Sequence, residues 1–298
     1  MTFDTIDALQ AALAQHAYIA DRSLATTIFL ALSMDKPLLL EGEAGVGKTE
    51  IAKTLARMLD RHLIRLQCYE GLDVSTTIYE WNYARQMLQI RMLEAQGAAA
   101  QGSDAIKNIF GPEFLIKRPL LQAIEESMVR PPILLIDEID RADAEFEAFL
   151  LELLSDWQIS IPEIGTVRAA TPPTVIITSN RTREVHDALK RRCLFYWVDY
   201  PTLGKELEIV RARVPQASEA LSRQVVMFVQ ELRRMDLYKL PGVAETLDWV
   251  TALVHLDQTA LVQDVVEDTL GAILKYQDDI AQVRGKVVVD LMKKSAAG

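Results

Sequence analysis

Lys48 and Thr49 close the run Gly42-Glu43-Ala44-Gly45-Val46-Gly47-Lys48-Thr49, which fits the phosphate-loop spacing G-x4-G-K-[ST]. Its glycines let backbone N–H groups turn inward as an anion nest, and a helix starting at Thr49 adds the positive end of its dipole. In such a loop the lysine reaches the β- and γ-phosphates and the threonine hydroxyl holds Mg²⁺. All eight residues are therefore candidate contacts, and a nucleotide is the ligand they suit.

Asp137 and Glu138 narrow the chemistry. Four apolar residues, Ile133 to Ile136, lead to this acid pair at the carboxyl end of a strand, where open α/β sheets bind ligands. Neighbouring strand residues point opposite ways, so Asp137 can face Mg²⁺ while Glu138 polarises an attacking water. The plainer alternative is an acidic helix start, which Asp140 and Asp143 also suit. Asn180 follows the next apolar strand and can orient that water or touch the γ-phosphate, although an asparagine there often serves only a turn. Lys190-Arg191-Arg192 then precedes another strand. A basic run of this kind answers a helix dipole, or supplies an arginine to transition-state charge, with Arg192 preferred and Arg191 as substitute.

These residues need a frame. Strands are expected at 37–41, 62–68, 133–136, 174–178 and 194–198, with a helix from Thr49 to about Leu59 and another carrying Phe146, Phe149, Leu150 and Leu153. Alternating strands and helices predict a parallel α/β sheet. Residues 5–34 read as helical, broken near Tyr18-Ile19-Ala20-Asp21. Tyr83 to Ala100 reads as a helix and 101–104 as a loop. Residues 157–169 predict a hairpin, with Pro162 keeping it at an edge. After Tyr200-Pro201 only helices are expected. Leu221, Val225, Phe228, Val229 and Leu232 mark one buried face; Val262, Val265, Val266, Leu270, Ile273 and Leu274 mark another. A domain boundary is placed near 201.

Bulk properties exclude several classes. The 298 residues carry a formal net charge of -10, which disfavours non-specific binding to nucleic acid or acidic membranes. Cys68 and Cys193 form no C-x-x-C pair and read as buried small hydrophobes. The four histidines show no metal-ligand spacing. No basic leader or transmembrane run is evident, so a reducing cytoplasm is expected.

The order of these motifs resembles AAA+ ATPases, and among them the MoxR type. The resemblance rests on GEAGVGKT at 42–49, ILLIDEID at 133–140, the hairpin, TSN at 178–180 and ALKRRC at 188–193. YEWNYARQ at 79–86, RPLLQAI at 118–124, the run 140–166 and KLPGVAETLDW at 239–249 are similar to the CoxD-like branch, which is linked to maturation of carbon monoxide dehydrogenase. The resemblance implies a P-loop NTPase AAA+ core over 1–200, with a helix-2 insertion at about 80–115 and the hairpin at about 157–169. An all-helical lid domain would occupy 201–298. It further implies an ATP-hydrolysing, Mg²⁺-dependent homo-oligomer, usually a hexameric ring with ATP between subunits and Arg192 reaching the neighbour's γ-phosphate. Ile19 and Ala20, beside Tyr18, would cradle the adenine. A von Willebrand A-domain partner and a molybdenum–copper metalloenzyme client would follow.

One departure stands out. MoxR-type lids often carry an arginine in a G-x-S-P-R-like segment, whereas this chain has Gly242-Val243-Ala244-Glu245-Thr246, with Lys239 a nearby candidate. A nucleic-acid motor and a nucleotide-gated adaptor with little turnover are the rival readings. The acidic balance opposes the first, and Lys48, Asp137 and Glu138 together oppose the second. Trp81 and Tyr83 read as a packed aromatic pair or as a client-contact loop.

Overall fold

The computed structural model describes residues 3–95 and 109–297. Its strands are β1 (Leu38–Gly42), β2 (Leu63–Gln67), β3 (Tyr79–Trp81), β4 (Leu115–Lys117), β5 (Ile133–Asp137), β6 (Gln158–Ile161), β7 (Gly165–Arg168), β8 (Thr174–Ser179) and β9 (Leu194–Val198). Five of them form one sheet in the order β2-β5-β8-β1-β9. β1 and β5 are buried at every position, as continuous apolar strands of a covered parallel sheet should be. Parallel pairing sets Gln67 against Asp137 and Ile136 against Ile177. The residues one step beyond that last pair, Asp137 and Thr178, are thereby brought side by side at the carboxyl edge.

The described chain divides into two compact units. One comprises Thr26–Leu40 and Leu55–Tyr196, and the other Phe3–Ala25, Glu41–Thr54 and Trp197–Gly298. The phosphate loop and the first helix, Ile6–Gln15, thus group with the C-terminal helices, a different division from one cut near residue 201.

In the first unit, Phe146, Leu150, Leu153 and Leu154 of the helix Ala144–Asp156 pack on the sheet with Leu134, Ile136 and Ile177. Asp143 caps that helix by accepting from the Phe146 N–H, and Trp157 ends it at φ 51. β6 and β7 form the expected hairpin in the register Gln158↔Arg168 to Ile161↔Gly165, with Ile159 and Ile161 buried. Pro162 falls in the turn rather than the strand, where its missing N–H costs no ladder bond. β3 and β4 pair antiparallel, Tyr79↔Lys117 to Trp81↔Leu115, and join the ends of the expected insertion. The helix there is described over Tyr83–Ala95; the rest of the predicted run to Ala100, and the loop at 101–104, lie outside the described residues. Trp81 packs edge-on to Tyr79 and Phe110, while Tyr83 is 70% exposed, so Trp81 and Tyr83 do not form the expected pair.

In the second unit, the helices Leu203–Arg213, Glu219–Leu232, Val243–His255 and Gln263–Ile273 surround Trp249. Trp249 packs 5.2 Å from Phe228 and donates its indole N–H to Thr269 Oγ1 at 2.8 Å, so the one polar atom of a buried ring is satisfied. Val225, Phe228, Val229 and Leu232 are all buried, as their spacing predicts. Val262 is not: it caps Gln263–Ile273 and is half exposed, because the helix begins one residue after it.

Candidate functional site

β1 delivers the chain into the loop at Gly42, and the following helix begins at Lys48. Gly42 has φ +153, and a Cβ there would lie 2.1 Å from the Val198 carbonyl oxygen, so glycine is required twice over. Gly45 and Gly47 also have positive φ, +76 and +96. Space around Gly47 is open, so its glycine serves backbone direction alone. Lys48 is buried and donates from Nζ to the carbonyls of Gly42 at 2.7 Å and Glu43 at 2.6 Å. The ammonium is therefore held over the loop at the helix start, the placement a phosphate-binding lysine needs. Val46 is buried beneath the loop, and Glu43 faces solvent.

Ile19 and Ala20 belong to the same unit as this loop, in the link between the helices Ile6–Gln15 and Arg22–Ser33. The Ala20 carbonyl accepts from Gln10 Nε2 at 2.8 Å. Burial acts to raise the next residue's pKa, but hydrogen bonds from the Leu24 N–H, Lys205 and Ser23 hold the Asp21 carboxyl well below the usual range. The ion pair Asp21–Lys205, 2.9 Å, ties this link to the helix Leu203–Arg213. The link is thus braced by a residue earlier in sequence, Gln10, and by one later, Lys205.

The acids lie in the other unit. Thr178 Oγ1 donates to Asp137 Oδ1 at 2.5 Å and accepts from the Glu138 N–H at 2.9 Å. One hydroxyl thereby fixes the Asp137 carboxylate and the Glu138 backbone together. Arg65, on β2, donates to Asp137 Oδ2 from Nε at 3.0 Å. Glu138 lies beyond the strand in the left-handed region, φ 57 and ψ 52. Strand alternation is thus not what separates the two acids: β5 ends at Asp137, and a left-handed residue redirects the chain. Such a conformation is costly for glutamate and concentrates at functional sites. The Glu138 carboxylate accepts from Arg141 Nε at 2.8 Å.

Asp140 was expected only as a helix-start acid, yet it is the buried anchor of the Asn180 turn. Its carboxylate accepts from the N–H groups of Asn180, 3.1 Å, and Thr182, 2.9 Å, and from Thr182 Oγ1, 2.7 Å. Glu147 does the same one turn further on, accepting from Arg183 and from the His186 N–H. No local sequence pattern joins Asp140 to the Thr178-Ser179-Asn180 strand end; strand register makes them neighbours. Arg191 and Arg192 are exposed at the end of the helix Asp187–Arg192, and Arg192 donates to the Leu151 carbonyl.

Burial alone would raise the Asp140 pKa; the bonds from Thr182 and Asn180 outweigh it and hold the carboxyl below the ordinary value. A depressed folded pKa means the stabilisation is complete above the unfolded aspartate value, about 3.9, and is lost as pH falls through the folded one. Asp140→Asn should therefore cost about 2 kcal/mol of unfolding free energy at pH 7, and the gap between variant and wild type should narrow at an acid pH below the unfolded aspartate value. Urea midpoints at the two pH values check this, and equal midpoints at pH 7 would contradict it.

Thr49 and Asp137, the expected Mg²⁺ ligands, fall in different units. Among the described residues no group of three or more His, Cys, Asp or Glu could hold a metal by itself. Magnesium bound through phosphates, water and one or two protein oxygens needs no such cage. Burial, together with the nearby carboxylates of Asp137 and Asp140, pushes the Cys68 thiol up to about 12, and burial does the same at Cys193. Neither is a nucleophile at neutral pH. Lys239 is exposed, and its backbone N–H donates to Asp279. Among the described residues no helix is long and apolar enough to cross a membrane.

Residues 37–193 match the AAA domain family, dynein-related subfamily. An uncharacterized protein of Staphylococcus haemolyticus is 26% identical over 280 residues, covering 91% of this chain and 96% of that protein. The gas vesicle ATPase GvpN1 of Halobacterium salinarum is 24% identical over 266 residues, 86% of this chain and 74% of that protein. A RuvB mutant structure from Thermotoga maritima has a TM-score of 0.51 at 17% identity, over 91% of this chain and 72% of that one, which is a likeness of fold.

Proposed function

Because the chain belongs to the AAA domain family, dynein-related subfamily, and is an ATPase, we propose that it works as a MoxR-type, ring-forming remodeler. Most support comes from Thr178, whose single hydroxyl fixes both Asp137 and Glu138 at a strand's carboxyl end. In this reading Gly42–Thr49 hold the phosphates, with Lys48 on the β- and γ-groups, and Ile19 and Ala20 border the adenine. Thr49 and Asp137 hold Mg²⁺, which would neutralise phosphate charge. Glu138 polarises water, Asn180 orients it, and Arg192, with Arg191 beside it, acts on a neighbouring subunit's nucleotide.

The ring is hexameric in this proposal and works in the cytoplasm with a von Willebrand A-domain partner. The client is a molybdenum-containing, carbon monoxide dehydrogenase-like enzyme. Support for that client comes from the wording of 79–86, 118–124, 140–166 and 239–249. The net charge of -10 speaks against a nucleic-acid client. The test is to trap the ATP state with Glu138→Gln in the source cell and identify what co-purifies. A molybdenum hydroxylase with an A-domain protein is the expected catch. Recovery of nucleic acid, or DNA binding by the purified chain at low salt, would overturn the assignment.

A further inference from the structure

The expected lid arginine is absent, and the segment in its place touches the phosphate loop with its backbone. The N–H of Ala244 donates to the Gly45 carbonyl at 3.0 Å. Gly242, the N-cap of Val243–His255, has φ -83, an ordinary extended value that any residue adopts. Its glycine is demanded by packing instead: a Cβ there would lie 2.8 Å from the Ala44 carbonyl oxygen and 2.9 Å from the Gly45 carbonyl carbon. Glu245 accepts from the Gly242 N–H at 2.9 Å, the half of a capping box that a glycine N-cap allows, and its Oε2 lies 2.8 Å from where a Gly45 Cβ would be.

Behind this contact stands a buried polar cluster. Arg233 pairs with Glu206, 2.6 and 2.8 Å, donates to the Pro241 carbonyl at 2.7 Å and lies over the Tyr200 ring. Thr246 Oγ1 donates to Glu206 at 2.7 Å. Arg233, whose side chain is buried, is thus committed to holding the helix start in place, not to a phosphate. A fully satisfied network of this kind rigidifies what it supports.

We propose that Gly242 and Glu245 are positioning residues that couple the helix Val243–His255 to the nucleotide through the backbone of Gly45, in place of an arginine. Lys48 donates to the Gly42 and Glu43 carbonyls of the same loop. Any shift of the loop backbone as phosphates bind is passed to Ala244 through its direct hydrogen bond to the Gly45 carbonyl. The coupling rests on nucleotide binding at Gly42–Thr49.

Hydrogen exchange with and without ATP, on the full chain, separates the two claims. In wild type, ATP should slow exchange both at Gly42–Thr49 and at the first turns of Val243–His255. Gly242→Ala should still bind ATP, with Kd within about threefold, while losing protection of the helix and about tenfold or more in kcat, since small misplacements are costly in a preorganised site. Should Gly242→Ala fail to fold, Glu245→Ala carries the same expectation. Glu245→Gln, which keeps an acceptor for the Gly242 N–H, should restore both readouts. Protection at the loop with none at the helix in wild type overturns the coupling alone. No protection at either place overturns the nucleotide assignment with it. Full helix protection and kcat in Gly242→Ala likewise overturns the proposal.

Discussion

Glu138→Gln is expected to lower kcat for ATP hydrolysis by about 10²- to 10⁴-fold, the range set by losing a positioned general base, while ATP still binds. Gln has the shape of Glu, and the features that place residue 138 do not depend on its charge. The left-handed backbone is fixed by the N–H bond to Thr178 Oγ1, and β5 ends one residue earlier. An amide oxygen can still accept from Arg141 Nε. What disappears is the basic carboxylate, so the loss falls on the chemical step. Lys48 and the glycine turns that build the phosphate loop are untouched, which is why binding should persist. Phosphate release and a fluorescent-ATP titration on the same preparation give both numbers. Turnover at the wild-type rate would remove Glu138 from its role.

The strands and the loop were legible because local chemistry decides them. Leu38–Leu40 and Ile133–Ile136 are uninterrupted apolar runs ended by Glu41 and Asp137, and nothing in tertiary packing competes with that reading. The hairpin was legible for the same reason, Gly165 taking φ +108 at its turn. Three-residue strands such as β3 and β4 carry too little pattern to be seen; they exist because Tyr79 and Lys117 meet across a long insertion. The roles of Asp140, Glu147 and Arg65 were hidden because each depends on register between strands or on a loop returning to a helix. The separation of Asp137 from Glu138 was expected for the wrong reason, since periodicity cannot show where a strand ends in a left-handed residue. Arg233 was unreadable in another way: a charged residue in a helix-ending run looks solvated, and only its burial against Glu206 shows otherwise.

Arg192→Ala is expected to cost about 10³-fold in kcat, the lower end of what a transition-state arginine supplies, with ATP affinity nearly unchanged. Arg192 is exposed at the last turn of a six-residue helix, and within its own chain its guanidinium donates only to a backbone carbonyl, that of Leu151, among the bonds described. That contact involves no carboxylate, so exchanging it for a γ-phosphate on another copy breaks no ion pair. Arg192→Lys should rescue poorly, because a point charge cannot reproduce the planar fork. Arg191→Ala, one position away on a different helix face, should cost far less. The decisive arrangement is a mixture of Lys48→Ala and Arg192→Ala chains, each inactive alone. If Arg192 acts on a neighbour's nucleotide, some interfaces in mixed rings combine an intact Lys48 with an intact Arg192, and part of the activity returns, peaking at intermediate ratios. No recovery at any ratio, with mixed assembly verified by native mass spectrometry, would confine Arg192 to its own chain and leave the Leu151 contact as its whole role.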